Sequence, residues 1–565
     1  MTGPERVDVC IVGSGFGGSI SAWRLAELYK AAGEDAARIL VLERGRGYEH
    51  SEFRQSMDAD HLAEVYKLAQ STVGTGAQVV TANAVGGGSN LYLAASLRAP
   101  SEIFERHDRN PADPGEGRVW PAAIDRKEMD RYYARAEAAL RVRQPSWNEV
   151  SKSGGLWAAT LDAAGHTADR VPVAIDFDRC VDAKWCHTGC VFGAKNTVTT
   201  NYLASARRAG VRVRESREAQ LITRAAPNAS GYRYLVQAAH MSNRGDSPTH
   251  APNGSSDQIE CKVLILAAGA MGTSPLLLRS RLLMPSLSSQ VGAHLGCNGD
   301  HIAALEYDEK QVRRVLGLPG YGEFYKGKPI TTMTYDYYAG RPGRAHDGTR
   351  FTLQEIFLST LTNFLYDDGR SPQGSPSFFG VQKKRSISHW NSHIELLAMV
   401  EDTNDGRFLI PPISGGGIQP SPGPVVVGTF SYDFSEQSMR VREVANKAMK
   451  KIAERKGLAR FMALTESRGT YVAHPLGGCR MAEDPALGVV NHECEAFGND
   501  GLFCIDSSAI PTSLGVNPSL TISAVSERAA AHLVRKAERH GLPKAPKGFR
   551  HRTPAVHVGK RLTPS

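Results

Sequence analysis

Long hydrophobic runs are what this chain most clearly lacks. Nowhere in its 565 residues do about 18 apolar residues follow one another, so no segment reads as a membrane-spanning helix. The N-terminus, MTGPERVDVCIVGSG, has no charged stretch leading into a removable apolar one. The expectation is a cytoplasmic protein with at most peripheral membrane association. Charge of one sign is also scarce: 67 Lys and Arg stand against 58 Asp and Glu, leaving +9. No basic block carries interleaved aromatics, which argues against nucleic acid as a partner and leaves room for an anionic cofactor. Cysteine is sparse and odd in number, nine in all, which without a secretion signal reads as mostly reduced thiols. Cys10 and Cys261 lie in apolar strand-like runs and read as buried structural residues. No internal repeat is present. What remains, 41% hydrophobic and 22% charged, is an ordinary globular composition on a chain long enough for two large domains.

The informative start is VDVCIV, Val7 to Val12, a buried strand that runs into GSGFGG at residues 13–18. A helix is predicted from about Gly17 to Leu28 and a second buried strand from Arg38 to Leu42, ending at Glu43. Strand, glycine turn, helix, strand and acid in this order form a dinucleotide-binding βαβ unit. Gly13, Gly15 and Gly18 permit the tight turn and the approach of a pyrophosphate to the helix N-terminus, and Glu43 accepts hydrogen bonds from a ribose.

Later segments extend the same sheet. CKVLILAA, from Cys261 to Ala268, is a continuous apolar strand stopping at Gly269, and LFCI, from Leu502, is a shorter one ending at Asp506. VRVRE, AQLITR and YRYLVQA between 211 and 238 read as an antiparallel meander inserted between them. The fold class is therefore α/β with α+β character: a discontinuous Rossmann-like domain and a second, substrate-binding domain on an antiparallel or mixed sheet with helices. The expected division gives residues 1–99, 196–310 and 461–540 to the cofactor domain. It gives 100–195 and 311–460 to the substrate domain, and 541–565 to a basic tail. A strand at Glu395 to Val400 and a basic helix from about Glu436 to Arg455, one face solvated, fall in the second domain.

HPLGGCRM at 474–481 is unusual for a structural histidine, which ordinarily sits among apolar neighbours at helix or strand spacing. A proline and paired glycines around His474 suit a ring held rigidly beside a ligand. NAVGGGSNLY at 83–92 is a third glycine run, and GVNPSLTISAVSERAA at 515–530 places Asn517 and Pro518 as cap and first residue of a helix.

Together with GSGFGG, these stretches resemble the glucose–methanol–choline (GMC) family of flavoprotein oxidoreductases, with the likeness strongest to its cholesterol oxidase-like branch. LGCNGDH at 295–301 and CHTGCVFGAKNTVTTNYL at 186–203 add to the resemblance, which is looser between about 310 and 455. It implies FAD in an extended form. Gly13, Gly15, Phe16, Gly17 and Gly18 would lie along the pyrophosphate, with Glu43 and Arg44 at the adenosine ribose. Gly86, Gly87, Gly88, Ser89 and Asn90 would reach the phosphates and the flavin edge. Asp506 would meet the ribityl chain or a phosphate-bound water, and Ala268 and Gly269 would also line the cofactor. Asn517 and Pro518 would open the helix whose positive end faces the flavin pyrimidine.

The resemblance also makes His474 and Asn517 the catalytic pair over the flavin. Histidine, titrating near neutrality, suits proton transfer from an alcohol, and Pro475 and the glycines would fix its ring and make room for the cofactor. The implied partners are a small, hydrophobic alcohol and O₂ or another electron acceptor. An oxidase, a dehydrogenase with a different acceptor, and a flavin-binding lyase or tailoring enzyme all stay open. The glutamate used by cholesterol oxidases for isomerisation aligns near His389 or Trp390, so alcohol oxidation is better supported than isomerisation. Cys180, Cys186 and Cys190, in C-x5-C-x3-C spacing around His187, fit no standard zinc pattern. They read as structural thiols or one disulfide, with no metal.

Overall fold

The computed structural model describes residues 3–55, 64–70, 77–105, 118–227, 230–242, 252–318, 327–338, 349–356, 392–409, 429–463 and 471–556. The elements that position the site begin with β1 (Glu5–Val12), α1 (Phe16–Ala32), β2 (Ile39–Leu42), α2 (Lys152–Ala163), β3 (Arg212–Arg214), β4 (Arg217–Arg224), β5 (Tyr234–Met241) and β6 (Pro252–Leu266). They continue with α3 (Ala270–Ser280), β7 (Asp300–Tyr307), β8 (Thr332–Thr334), β9 (Phe351–Ile356), β10 (His393–Val400), α4 (Glu436–Glu454), β11 (Ala459–Ala463), β12 (Leu502–Cys504) and α5 (Ser519–Arg535).

One seven-stranded sheet has the order β3-β2-β1-β6-β5-β4, with β12 also paired to β6. β1 is parallel to β2 and β6, and β12 is parallel to β6, so strands from the start, middle and end of the chain share this sheet. β1 and β2 carry Val, Ile, Leu and Cys side chains that are all but inaccessible from Val9 to Leu42, as parallel strands covered on both faces require. The expected meander is corrected in one respect. Arg212–Arg214 runs parallel to β2, reached by a crossover through the helix at Tyr202–Arg208, and only β4 and β5 form an antiparallel hairpin against β6. α1 runs longer than predicted, to Ala32, and ends where Gly33 adopts φ 74°, a left-handed cap that glycine takes without steric cost.

The second sheet is antiparallel, in the order β11-β7-β10-β9-β8 followed by the short strand at Asp169–Arg170. Its residues alternate between two covered faces. Phe351, Leu353, Leu396, Ala398 and Val400 pack under α2 and α4, while Met333, Leu397 and Met399 join the core shared with the first sheet. The basic helix α4 is thus a cover for this sheet: Val441, Ala445, Met449 and Ile452 are buried, and its lysines remain on the outer face. Among the described residues, no helix is long and apolar enough to cross a membrane.

Candidate active site

The glycine turn after β1 separates into two kinds of position. A Cβ on Gly13, at φ 98°, would lie 2.3 Å from the Ala267 carbonyl oxygen. On Gly17 it would lie 1.6 Å from the Ile505 oxygen, and on Gly18 1.9 Å from the Gly13 oxygen. These three glycines let α1 dock against the strand ends. Gly15 is different: the nearest atom to its Cβ would be Gly87 Cα at 4.0 Å, and Gly88 has no neighbour within 4 Å. Open space therefore faces Gly15 and Gly88, where α1 begins. α1 has no side-chain cap and no acidic residue in its first turn, so its partial positive end is left for a ligand. An anionic pyrophosphate fits that cradle.

Ser14, absent from the expected contacts, joins three motifs. Its backbone amide and hydroxyl donate to Glu43 Oε2 at 3.0 and 2.7 Å, and Gly86 N–H donates to the Ser14 hydroxyl at 2.9 Å. Glu43 Oε1 accepts from Gly45 N–H at 2.9 Å, so the carboxylate is already fixed at the end of β2 where a ribose would share it. Its neighbour Arg44 departs from the expectation, since its guanidinium engages Asn83 at 2.9 Å and Glu218 at 3.5 Å. Phe16 packs edge-on against Tyr92, with ring centroids 5.6 Å apart.

Ser89 and Asn90 likewise hold their own loop. The Ser89 hydroxyl donates to the Gly86 oxygen at 2.7 Å and the Asn90 amide to the Val85 oxygen at 2.6 Å. Asp506 is also occupied by the chain. Oδ2 accepts from Gly269 N–H at 2.8 Å and the Thr273 hydroxyl at 2.6 Å, while Oδ1 accepts from Ser508 N–H at 2.7 Å. Burial pushes the Asp506 carboxyl above its ordinary range against those hydrogen bonds. Asp506 thereby splices the turn after β6, through Ala268 and Gly269, to the turn after β12.

The HPLGGC loop is stitched to two neighbouring segments. Leu476 pairs with Gly296, Gly292 N–H donates to the Gly478 oxygen at 2.7 Å, and Gly477 and Cys479 N–H donate to the Ser507 and Ser508 oxygens at 3.0 Å. A Cβ on Gly477 would meet the His294 oxygen at 2.0 Å, and one on Gly478 would meet the Ser274 hydroxyl at 2.3 Å. These glycines accommodate the chain itself, which corrects the expectation that they make room for the cofactor.

His474 is held from behind. Its Nδ1 lies 2.6 Å from Asp300 Oδ1, and Ala473 N–H donates to Asp300 Oδ2 at 3.0 Å. Asp300 opens β7 and is 2% exposed. An ionised carboxylate only accepts, so Nδ1 carries the proton and Nε2 presents its lone pair on the opposite side. There Asn517 Nδ2 stands 3.5 Å away, at the edge of hydrogen-bonding range, and the buried Asn517 Oδ1 has no protein partner. Asn517 was expected to cap α5. Instead Pro518 stands at the cap position, no side chain caps the helix, and no acid lies in its first turn. The positive end of α5 and the Asn517 amide are both left facing the His474 side.

Cys180, Cys186 and Cys190 are free thiols, which removes the disulfide alternative. They line one small cavity with Trp185 and Phe192, and burial pushes the Cys186 thiol up to about 12.

Comparison with known proteins settles the class. Family models described as GMC oxidoreductase match residues 59–298 and 423–526. The chain belongs to this family. It is an FAD-dependent oxidoreductase acting on alcohols. A cholesterol oxidase from Acinetobacter baumannii is 24% identical over 94% of both chains. One from Mycobacterium tuberculosis is 26% identical over 97% of this chain and 94% of its own. Among solved structures, pyridoxine 4-oxidase from Mesorbium loti superposes with a TM-score of 0.61 at 15% identity, covering 93% of this chain and 99% of that one. Formate oxidase from Aspergillus oryzae gives 0.61 at 14%, covering 96% and 100%; at such identities the likeness carries the fold alone.

Proposed function

We propose that the protein oxidises a secondary alcohol on a hydrophobic, sterol-like or other polycyclic body to the ketone, with O₂ as terminal acceptor. The observation that carries this reading is the Asp300–His474–Asn517 arrangement, a hydrogen-bonded histidine with an amide 3.5 Å from its Nε2, close enough for one substrate oxygen set beside them to bond both. The names of the cholesterol oxidase relatives support the sterol-like body. So do Ile302, Leu397, Met399 and Met333, which occupy the face of the second sheet on which Asp300 stands.

FAD, when bound, supplies a hydride acceptor at its N5 position. Gly15, Gly88 and the start of α1 would hold its pyrophosphate, Glu43 its adenosine ribose, and the start of α5 its pyrimidine edge. His474 Nε2 takes the hydroxyl proton while the carbinol hydrogen leaves as hydride, so the alcohol gives up one proton and one hydride to become a ketone. Asn517 Nδ2 donates to the substrate oxygen and sets the carbinol hydrogen's direction. Asp300 touches none of the reacting atoms; it is a positioning residue that keeps Nδ1 protonated and Nε2 basic. The glutamate position implied for isomerisation, near His389 or Trp390, lies outside the described residues.

The test is the flavin absorbance of the purified protein under a panel of secondary alcohols without oxygen. Bleaching followed by prompt recovery in air supports the oxidase. Bleaching with slow recovery would assign a different acceptor, and no bleaching with any alcohol would contradict the reading.

A further inference from the structure

The register of the second sheet places its residues in rows. Asp300, Met399 and Thr352 lie side by side on β7, β10 and β9, followed by Ile302, Leu397 and Gln354, then Ala304, Glu395 and Ile356. Directly opposed residues share a face, and successive rows two residues apart stay on it. Met333 on β8 continues the second row beside Gln354. This face is turned to the catalytic side: Asp300 bonds His474, and the Thr352 hydroxyl donates at 2.8 Å to the oxygen of Gly515, two residues before Asn517.

On this largely apolar wall, Gln354 stands out. Its side chain is fully buried, its Nε2 lies 3.4 Å from the Thr352 hydroxyl, and its Oε1 has no hydrogen-bond partner. Were the amide assigned the other way round, the same end would present an unpartnered NH₂, so one polar end lacks a protein partner in either assignment. Buried polar atoms without partners are rare in native proteins, and a ligand is one of the standard reasons for them. Glu395, fully buried, is its diagonal neighbour across β9 and β10.

We propose that Gln354 hydrogen-bonds a second, remote hydroxyl of the substrate, so that the preferred substrate is a diol on a rigid apolar body rather than a mono-alcohol. A neutral amide oxygen in an apolar wall matches a neutral hydroxyl donor. The separation bounds the substrate: two strand spacings and one two-residue step put the Asp300 and Gln354 backbones about 12 Å apart. That backbone separation favours hydroxyls set apart on the substrate over adjacent ones. Hydroxyls at opposite ends of a fused ring system, on the order of 10 Å apart, match it. This inference rests on the alcohol-oxidation reading above and narrows its substrate class.

The experiment compares the FAD-loaded enzyme on two saturated steroids, one hydroxylated on its first and last rings and one lacking the last-ring hydroxyl. The wild-type protein should favour the diol in kcat/KM by about tenfold or more, because a site built to bond a hydroxyl discriminates against its absence. Gln354→Met should bring that ratio near one, chiefly by raising KM for the diol. Gln354→Asn, which retracts the amide by one carbon, should give an intermediate ratio and serves if the methionine variant fails to fold. Equal wild-type values for the two steroids, or an unchanged ratio in the variants, would overturn the proposal while leaving alcohol oxidation intact. If neither steroid bleaches the flavin, the alcohol reading fails for this class. The diol preference is then read from the perturbation of the oxidised flavin spectrum on binding, where equal affinities overturn it.

Discussion

Asp300 Oδ1 lies 2.6 Å from His474 Nδ1, joining the first residue of β7 to the loop before β12 across 174 positions of sequence. Because Ala473 N–H donates to the other carboxylate oxygen, the acid cannot rotate away without losing a second bond. Asp300→Asn replaces an obligate acceptor with a group that can donate to Nδ1, which favours the tautomer with its proton on the wrong nitrogen. The variant should bind flavin normally and keep KM within a few-fold, while its flavin reduction rate falls by about 10²–10⁴-fold. A purely structural role would instead lower flavin content or melting temperature at an unchanged rate per bound flavin.

Gly15→Val should give a protein that purifies without yellow colour. The methyls would fill the gap between Gly15 and Gly87, whose closest approach to a Cβ is now 4.0 Å, where no other protein atom intrudes. Flavin content measured against protein checks this, and full flavin in the variant would place the pyrophosphate elsewhere.

Glu355 offers a stability test away from the chemistry. It is fully buried on the opposite face of the second sheet and accepts from the Ser153 hydroxyl at 2.7 Å, the Ser151 hydroxyl at 3.1 Å and Thr331 N–H at 3.1 Å. Burial outweighs these bonds and raises its pKa to about 7. A carboxyl raised in the folded state binds a proton more tightly there than when unfolded. Stability is therefore fullest below its ordinary value of about 4.5 and falls as pH rises to about 7, by at most about 3 kcal/mol. Glu355→Gln removes that titration. The melting temperature of the variant relative to wild type should be higher at pH 8 than at pH 5, and an identical difference at both would contradict the assignment.

Cys186→Ser combined with Cys190→Ser should lower the melting temperature but leave turnover per bound flavin within a few-fold of wild type. The half-buried Cys186 thiol, pushed up to about 12 by loss of water around it, is held neutral at physiological pH. Iron in the purified protein that disappears together with activity in the variant would contradict this.

The cofactor half of the fold was legible because its signals are local. A strand, a glycine turn, a helix and an acid follow one another within Val7 to Glu43, and each has a period or a turn residue of its own. Which glycine meets the ligand was not legible, since Gly13, Gly15 and Gly18 look alike until the Ala267 oxygen is placed beside Gly13 and the Gly13 oxygen beside Gly18. The substrate sheet was harder. In β10 all eight residues from His393 to Val400 are buried, so the alternation that marks a half-exposed strand is missing and only its last six residues were anticipated. Asp300 escaped notice for a related reason. Its role comes entirely from a partner 174 residues away, and GCNGDH by itself reads as a turn before a strand. Asn517 was read from its motif both as the partner of His474 and as a helix cap; Pro518 takes the cap position, and Asn517 Nδ2 lies 3.5 Å from His474 Nε2.

The account depends most on His474 as the acceptor of the alcohol proton. His474→Gln keeps a hydrogen-bonding side chain opposite Asp300 but removes the group able to take that proton. The deciding measurement is the anaerobic rate of flavin reduction by a secondary alcohol, per bound flavin, in wild type and variant. A fall of about 10²–10⁴-fold with near-normal flavin content is the expected result. A variant that reduces its flavin at the wild-type rate would contradict the central claim.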